Sequence, residues 1–166
     1  AYVASSTTVD TTANTISITN HPFETGDQLT YDTTTLDTSA VAIGGLSAGT
    51  YYAIRVDDDL IKVASSASNA NNGTALTLSS TGSGSQFFQG EQAVAGAVTV
   101  TAGEITAIAI SNKGGGYNNA PSVTITDTTG TNAVVNTLFG RGITSVTITT
   151  AGSYASGSAP SVSFTR

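Results

Sequence analysis

A single histidine, three consecutive aspartates and a run of three glycines are the features of this 166-residue chain whose types invite chemistry. His21 would need an activated serine and a carboxylate beside it to act as a general base. Serines are plentiful, but none sits in a Gly-x-Ser-x-Gly frame, and "GSGSQ" (82–86) does not read as a strand-to-helix elbow. Asp57, Asp58 and Asp59 offer oxygens to Ca²⁺. Calcium, however, takes six to eight ligands from a spaced loop, and "DDDLIKVA" lacks both that spacing and a distal glutamate. Adjacent aspartates at a hairpin tip bond their own turn backbone, so the turn is the first reading and a weak cation site the alternative.

Two carboxylate pairs, Glu24 with Asp27 and Glu91 with Glu104, can be considered for glycosidase chemistry. That reaction needs two carboxyls about 5–10 Å apart across a sugar cleft, normally lined with aromatics. The chain has no Trp, and its six Tyr and five Phe are dispersed, so no hydrolase is expected. Tyrosine pairs an apolar face with a polar tip, which leaves glycan contact through Tyr51, Tyr52, Tyr117 or Tyr154 as a binding alternative. The glycine run, "SNKGGGYNNAPSVTIT" (111–126), lacks the Gly-Lys-Ser/Thr of a Walker loop, and the segment after the glycines opens on Pro121 and alternates like a strand. With no helix N-terminus behind it, a phosphate cradle has neither dipole nor donors. No catalytic residue, cofactor or metal is therefore assigned, apart from the weak candidates at 57–59.

The elements that must position these residues are strands. Ser and Thr make up 50 of the 166 residues, charged residues only 10%, and β-branched types dominate the apolar set. "NTISIT" (14–19), "GDQLTY" (26–31), "TYYAIRV" (50–56), "LIKVA" (60–64) and "TALTLSS" (74–80) read as strands, the third and fourth as a hairpin around the aspartates. "SSASNANNG" (65–73) reads as one short helical turn ended by Gly73. "TGSGSQFFQG" (81–90), rich in Gly and Ser, is the expected boundary. Phe87 and Phe88 within it argue against a free linker and for packing between the halves or on a neighbouring subunit.

Beyond that boundary lies an internal repeat. "ITAIAISNKGGGYNNAPSVTIT" (105–126) aligns with "ITSVTITTAGSYASGSAPSVSFT" (143–165), at a spacing of 38 for Ile105/Ile143 and 39 for Pro121/Pro160. Gly, Tyr and Ala-Pro persist between copies while loop length and glycine number vary. The loop is therefore read as the corner of a repeated β unit, with Tyr117 and Tyr154 at equivalent positions, each packing across its own loop. Ile108 and Ile110 share one strand face and Ile105 lies on the other. "AVAGAVTVTAG" (93–103) and "NAVVNTLFGRG" (132–142) add a leading strand to each copy. The expected fold is all-β: two small sandwich- or barrel-like units, 1–84 and 85–166, the second built of two strand triplets at about 93–126 and 132–165.

The net charge is −6, and the five basic residues are scattered. Neither a nucleic-acid backbone nor an anionic membrane is an expected partner, since both need clustered Lys and Arg. Absence of Cys rules out disulfides, and no apolar run reaches the ~20 residues of a membrane helix. "AYVASSTTVD" has no basic start or apolar middle and reads as a native N-terminus freed of its initiator Met, not as a signal peptide.

Residues 21–84, with "HPFETGDQLTY", "GLSAGTYYAI", the acidic hairpin and "IKVA", resemble a β module recurrent in phage virion proteins and large bacterial surface proteins. Residues 104–165 resemble a second element, Ile-x-x-Ile-x-Ile-x-x-x-Gly-x-Gly-Tyr-x-x-x-Pro-x-Val-x-Ile, frequent in structural proteins of tailed phages, especially those of marine cyanobacteria. The second copy departs from it, with "AGSY" in place of Gly-x-Gly-Tyr. In the first module the position of His21 is a strand-to-turn boundary, which implies a side chain tying down the turn before Gly26–Asp27. The resemblance implies a non-enzymatic virion structural protein, most concretely a capsid decoration or cement protein on the particle surface. Such a protein would associate with itself, most plausibly as a trimer, and with the major capsid protein. Phe87, Phe88, Tyr117 and Phe139 are the expected interface residues. A tail-fibre or appendage module that binds a receptor or glycan is the alternative, and a self-assembling extracellular filament subunit a third.

Overall fold

A computed structural model describes residues 2–5, 8–34, 37–117, 119–127, 130, 132–139, 143–154 and 159–165, with the backbone alone at 2–5, 139 and 144. The protein is all-β, with thirteen strands and one short helix among the described residues. Its contacts divide it into two compact units, Ala1–Glu91 and Gln92–Arg166.

The N-terminal unit holds β1 (Tyr2–Ser5), β2 (Val9–Asp10), β3 (Thr15–Ser17), β4 (Gln28–Asp32), β5 (Gly49–Arg55), β6 (Leu60–Ala64), α1 (Ala67–Asn71) and β7 (Ser85–Gly90). The strands form one antiparallel sheet in the order β1-β7-β4-β5-β6-β3-β2. Alternation sends Ile16, Leu29, Tyr31, Ala53, Ile61, Val63 and Phe88 into one core. Each large apolar side chain so buried stabilises the unit by about 1.5–3 kcal/mol. Ile43, Leu46 and Leu78 close that core from two covering segments, which bridge at Val41–Ser83 and Gly44–Ser80. Gly82, at φ +68°, lets them meet: a Cβ there would lie 2.6 Å from the Val41 carbonyl oxygen.

Two expectations need correction here, and a third holds. Residues 85–90 are not boundary but strand β7, bonded to β1 on one side and β4 on the other, so the division falls after Glu91 rather than after residue 84. The alternation of "SQFFQG" is disguised because one of its buried positions is the polar Gln86. Residues 74–80 are not a ladder strand. Their amides go to separate acceptors instead: Leu76 N–H to the Val63 carbonyl, Leu78 N–H to Asn14 Oδ1, and Ser79 N–H to the Gly44 carbonyl. The helical turn at 65–73 is present as α1, N-capped by Ser66, whose Oγ accepts from Asn69 N–H.

The C-terminal unit holds the two expected triplets: β8 (Val94–Thr101), β9 (Glu104–Asn112) and β10 (Ser122–Thr126), then β11 (Val134–Phe139), β12 (Ile143–Thr150) and β13 (Ser161–Thr165). Three antiparallel ladders form, β8–β9, β11–β12 and β10–β13, the last joining the two triplets. A tight turn closes the first hairpin through Ala102 (φ +53°) and Gly103 (φ +84°), the positive-φ pair of a type I′ turn. Beyond the ladders, β9 lies beside β12, β8 beside β13 and β10 beside β11. The ladders thus follow one another round a ring that is hydrogen-bonded as a ladder at three of its six junctions and is not a closed barrel.

A pseudo-twofold relates the triplets. In the β10–β13 ladder Thr124 faces Ser163, its own counterpart, with Val123 opposite Phe164 and Ile125 opposite Val162. Ile105 N–H donates to the Ala151 carbonyl (3.2 Å) and Ile143 N–H to the Lys113 carbonyl (3.0 Å), one bond seen twice under the same 38-residue offset. Both hairpins bulge at matching places. Residues 106 and 111 are skipped in the β8–β9 register, and residues 144 and 149 in the β11–β12 register; the β8–β9 ladder has one further irregularity, between Ala95 and Val98, without a counterpart. The bulge at Thr106 overturns the expected facing in the first triplet. It turns Ile105 to the same interior as Ile108, whereas Ile108 and Ile110 share the inward face of β9 as expected.

Candidate functional site

Each residue with chemical potential can be followed to what it touches. His21 is buried, stacks on Phe23 at 5.7 Å and 20°, and accepts the Phe23 N–H at Nδ1 (3.3 Å). Its own amide donates to the Asp58 carbonyl (3.0 Å), which ties the turn after β3 to the tip of the β5–β6 hairpin. Asp27 closes that turn: its Oδ2 accepts the Glu24 N–H (2.9 Å) and its amide donates to the Glu24 carbonyl (3.1 Å). The Glu24/Asp27 pair therefore belongs to one turn. Of the other pair, Glu91 accepts from Gln28 Nε2 within the N-terminal unit, and Glu104 starts β9 in the other unit.

The three aspartates go three ways. Asp57 Oδ1 accepts the Asp59 N–H (2.8 Å), Asp58 pairs with the Arg55 guanidinium, and Asp59 Oδ1 accepts the Asn20 N–H (2.8 Å). Hydrogen bonding to Asp58 raises the Arg55 pKa. The carboxylates serve their own hairpin and its neighbour, and among the described residues no group of three His, Asp or Glu is placed to hold a metal.

The buried polar group that the sequence did not disclose is Gln86. Its Nε2 donates to the Val41 carbonyl (3.1 Å) and the Ser83 carbonyl (2.9 Å), and its Oε1 accepts from the Tyr31 hydroxyl. That hydroxyl accepts the Ile43 N–H (2.9 Å), so both functional ends of Gln86 and the Tyr31 oxygen are engaged. The knot fastens β4 and β7 to both covering segments. Its signal in the sequence was a glutamine at an inward position of an alternating run.

The glycine run is an interior corner. Gly114, Gly115, Gly116 and Tyr117 are all buried. The Tyr117 hydroxyl accepts the Ala93 N–H, and a Cβ at Gly114 (φ +65°) would lie 2.7 Å from the tyrosine ring. Gly114 N–H is taken by Asn112 Oδ1 (2.8 Å). Tyr117 thus packs on its own loop as expected. Tyr154 covers Gly130, ahead of the second triplet, where any Cβ would run into its ring; most of its own loop, 155–158, lies outside the described residues.

Of the four expected interface residues, Phe88 and Tyr117 are core. Phe88 points inward by strand alternation and packs on Tyr31 at 5.0 Å, and Tyr117 is held as above. Phe87 is half-buried on the opposite face of β7. The side chain of Phe139 lies outside the described residues. What faces solvent is different in kind. Six hydroxyls stand in facing pairs on the β10–β13 ladder, Ser122 with Thr165, Thr124 with Ser163 and Thr126 with Ser161, all exposed and none charged. Val94 and Val134, the first residues of the two triplets, are 52% and 51% exposed. Leu138, further along β11, is also exposed.

Compared with known proteins, the chain matches no family model, no curated protein and no solved structure. The surface therefore speaks through its geometry alone. It offers an exposed, uncharged set of hydroxyls and valines.

Proposed function

We propose that the chain is a non-enzymatic structural protein of a bacteriophage virion, a capsid decoration subunit that associates with itself and clamps adjoining capsomers. The observation that carries the reading is where the reactive side chains go. His21, Asp27, the three aspartates and the glycine run all hold turns and corners, while the outward strand faces are hydroxyl-rich and carry few charges. Such faces suit adhesion to a neutral protein surface, and a contact of about 1,600 Å² suffices for a stable one. The virion context comes from the resemblance of residues 21–84 and 104–165 to phage modules.

The test is to mix the purified chain with bare capsids and to label intact particles with an antibody to it. Head label at hundreds of copies per particle supports the reading. Label confined to the tail, or glycan-array binding without capsid binding, overturns it in favour of receptor recognition.

A further inference from the structure

We propose that the C-terminal unit is an exchange module: β11–β13 of one copy of this chain takes the place of β11–β13 against β8–β10 of a second copy. The resulting intertwined assembly is held by the same contacts that close the single chain.

The first support is that neither triplet buries its apolar residues by itself. One cluster joins Ala93, Ala95, Ile110, Tyr117 and Val123 of the first triplet to Ile143, Val146 and Phe164 of the second. The other cluster largely repeats the arrangement in reverse, joining Ala133, Val135, Ile148, Tyr154 and Val162 to Ile105, Ile108 and Ile125, and it also takes in Val98 and Val100 and shares Ala95 and Val146 with the first. Each triplet is thus half of two interiors.

The second support is the form of the junctions. Thr124 opposite Ser163, and the reciprocal bonds Ile105 to Ala151 and Ile143 to Lys113, make the contact isologous, the kind two separate copies make across a twofold axis. A surface that is complementary to its own repeat does not record which chain the repeat belongs to.

The third support is that nothing at the central ladder discriminates. β10 and β13 consist wholly of Ser, Thr, Val, Ile and Phe, with no charge to accept one partner and repel another. Seven residues, 127–133, connect the triplets. A connection of that length spans at most about 25 Å.

Exchange gives the self-association in the proposed function a physical route. It can fail while that function stands, because it is read on the purified chain without any virion. The chain has no cysteine, so two engineered pairs suffice. Thr124→Cys with Ser163→Cys reads the junction between triplets, and Thr99→Cys with Ala107→Cys, facing residues within the first hairpin, reads a contact that exchange leaves inside one chain. Each variant is refolded under reducing conditions at a few and at several hundred micromolar, separated by size, then oxidised and run on a non-reducing gel. In the dimer fraction the 124–163 pair is expected to link two chains and the 99–107 pair to link within one. If the 124–163 variant fails to fold, Thr126→Cys with Ser161→Cys reads the same junction. Links within one chain at 124–163 in every oligomer, links between chains at both pairs, or a monomer at all concentrations would each overturn the proposal.

Discussion

Thr124 and Ser163 face each other across the β10–β13 ladder and stand 39 positions apart, the offset at which the end of the second triplet aligns with the end of the first. A residue paired with its own counterpart marks a twofold axis. The reciprocal bonds Ile105 to Ala151 and Ile143 to Lys113 and the two shared clusters are arranged about it.

That symmetry sets the response to matched substitutions. Ile105 and Ile143 are both buried and occupy corresponding places in the two clusters. Ile105→Ala and Ile143→Ala are each expected to cost about 2–5 kcal/mol, by similar amounts and in the same transition, measured by guanidinium denaturation followed by far-UV circular dichroism. A loss in one variant several times that in the other would count against shared interiors.

Tyr117 separates packing from hydrogen bonding. Tyr117→Phe keeps the ring on Gly114 but leaves the buried Ala93 N–H without its acceptor, at a cost of about 1–3 kcal/mol. Tyr117→Ala also empties the corner and should cost about 3–5 kcal/mol. Melting temperatures of the two variants give the order. An unchanged melting temperature in Tyr117→Ala would show that the tyrosine does not hold the corner.

The Tyr31–Gln86 knot should behave as one unit. Tyr31→Phe and Gln86→Leu each strand buried partners, at about 1–3 kcal/mol apiece, and the double variant should cost less than the sum by about 1 kcal/mol or more. Burial, foremost among its causes, also pushes the Tyr31 pKa above its ordinary value. The sign comes from linkage: the folded state holds that proton more tightly. Its stabilising effect is complete below the ordinary tyrosine value near 10 and is lost as pH rises through the higher folded value. A denaturation series from pH 8 upward should show the loss in the native chain and less of it in Tyr31→Phe.

At the acid end the sign is opposite. Asp10 is held below its ordinary range by the backbone N–H groups of Ala13 and Thr12. Asp37 is held low by the Ser39 hydroxyl first and the Ser39 N–H next. Their contribution is present above the unfolded carboxylate value and is lost as pH falls through the lower folded values. Asp10→Asn and Asp37→Asn should flatten the fall in denaturation midpoint below about pH 4. An acid limb unchanged in both would show that these turns do not couple to stability.

Most of what was legible in the sequence was periodic or repeated, although the alternating "TALTLSS" (74–80) forms no ladder. The two triplets were legible because Ile105/Ile143 and Pro121/Pro160 recur, and β3 to β6 because their apolar residues alternate. Strand β7 was hidden because one of its inward residues is Gln86, whose partners Val41, Ser83 and Tyr31 are remote or irregular and leave no local pattern. The facing of Ile105 was misread because one extra residue, Thr106, reverses the alternation, and a bulge shows only when the opposite strand is in view. Phe88 and Tyr117 were assigned to an interface on residue type, whereas strand parity decides for one and a hydroxyl-to-amide bond for the other.

The ring has a consequence for the order in which this protein is made. β13 supplies Phe164 to one cluster and Val162 to the other. A ribosome that has delivered everything through residue 160 has therefore finished neither interior. From the end of β10 at Thr126 to the start of β13 at Ser161 is 35 residues, about 2–7 s of elongation at ordinary rates. For that interval each nascent chain carries an unpaired β10 and two open apolar surfaces, alongside identical chains emerging from the same message.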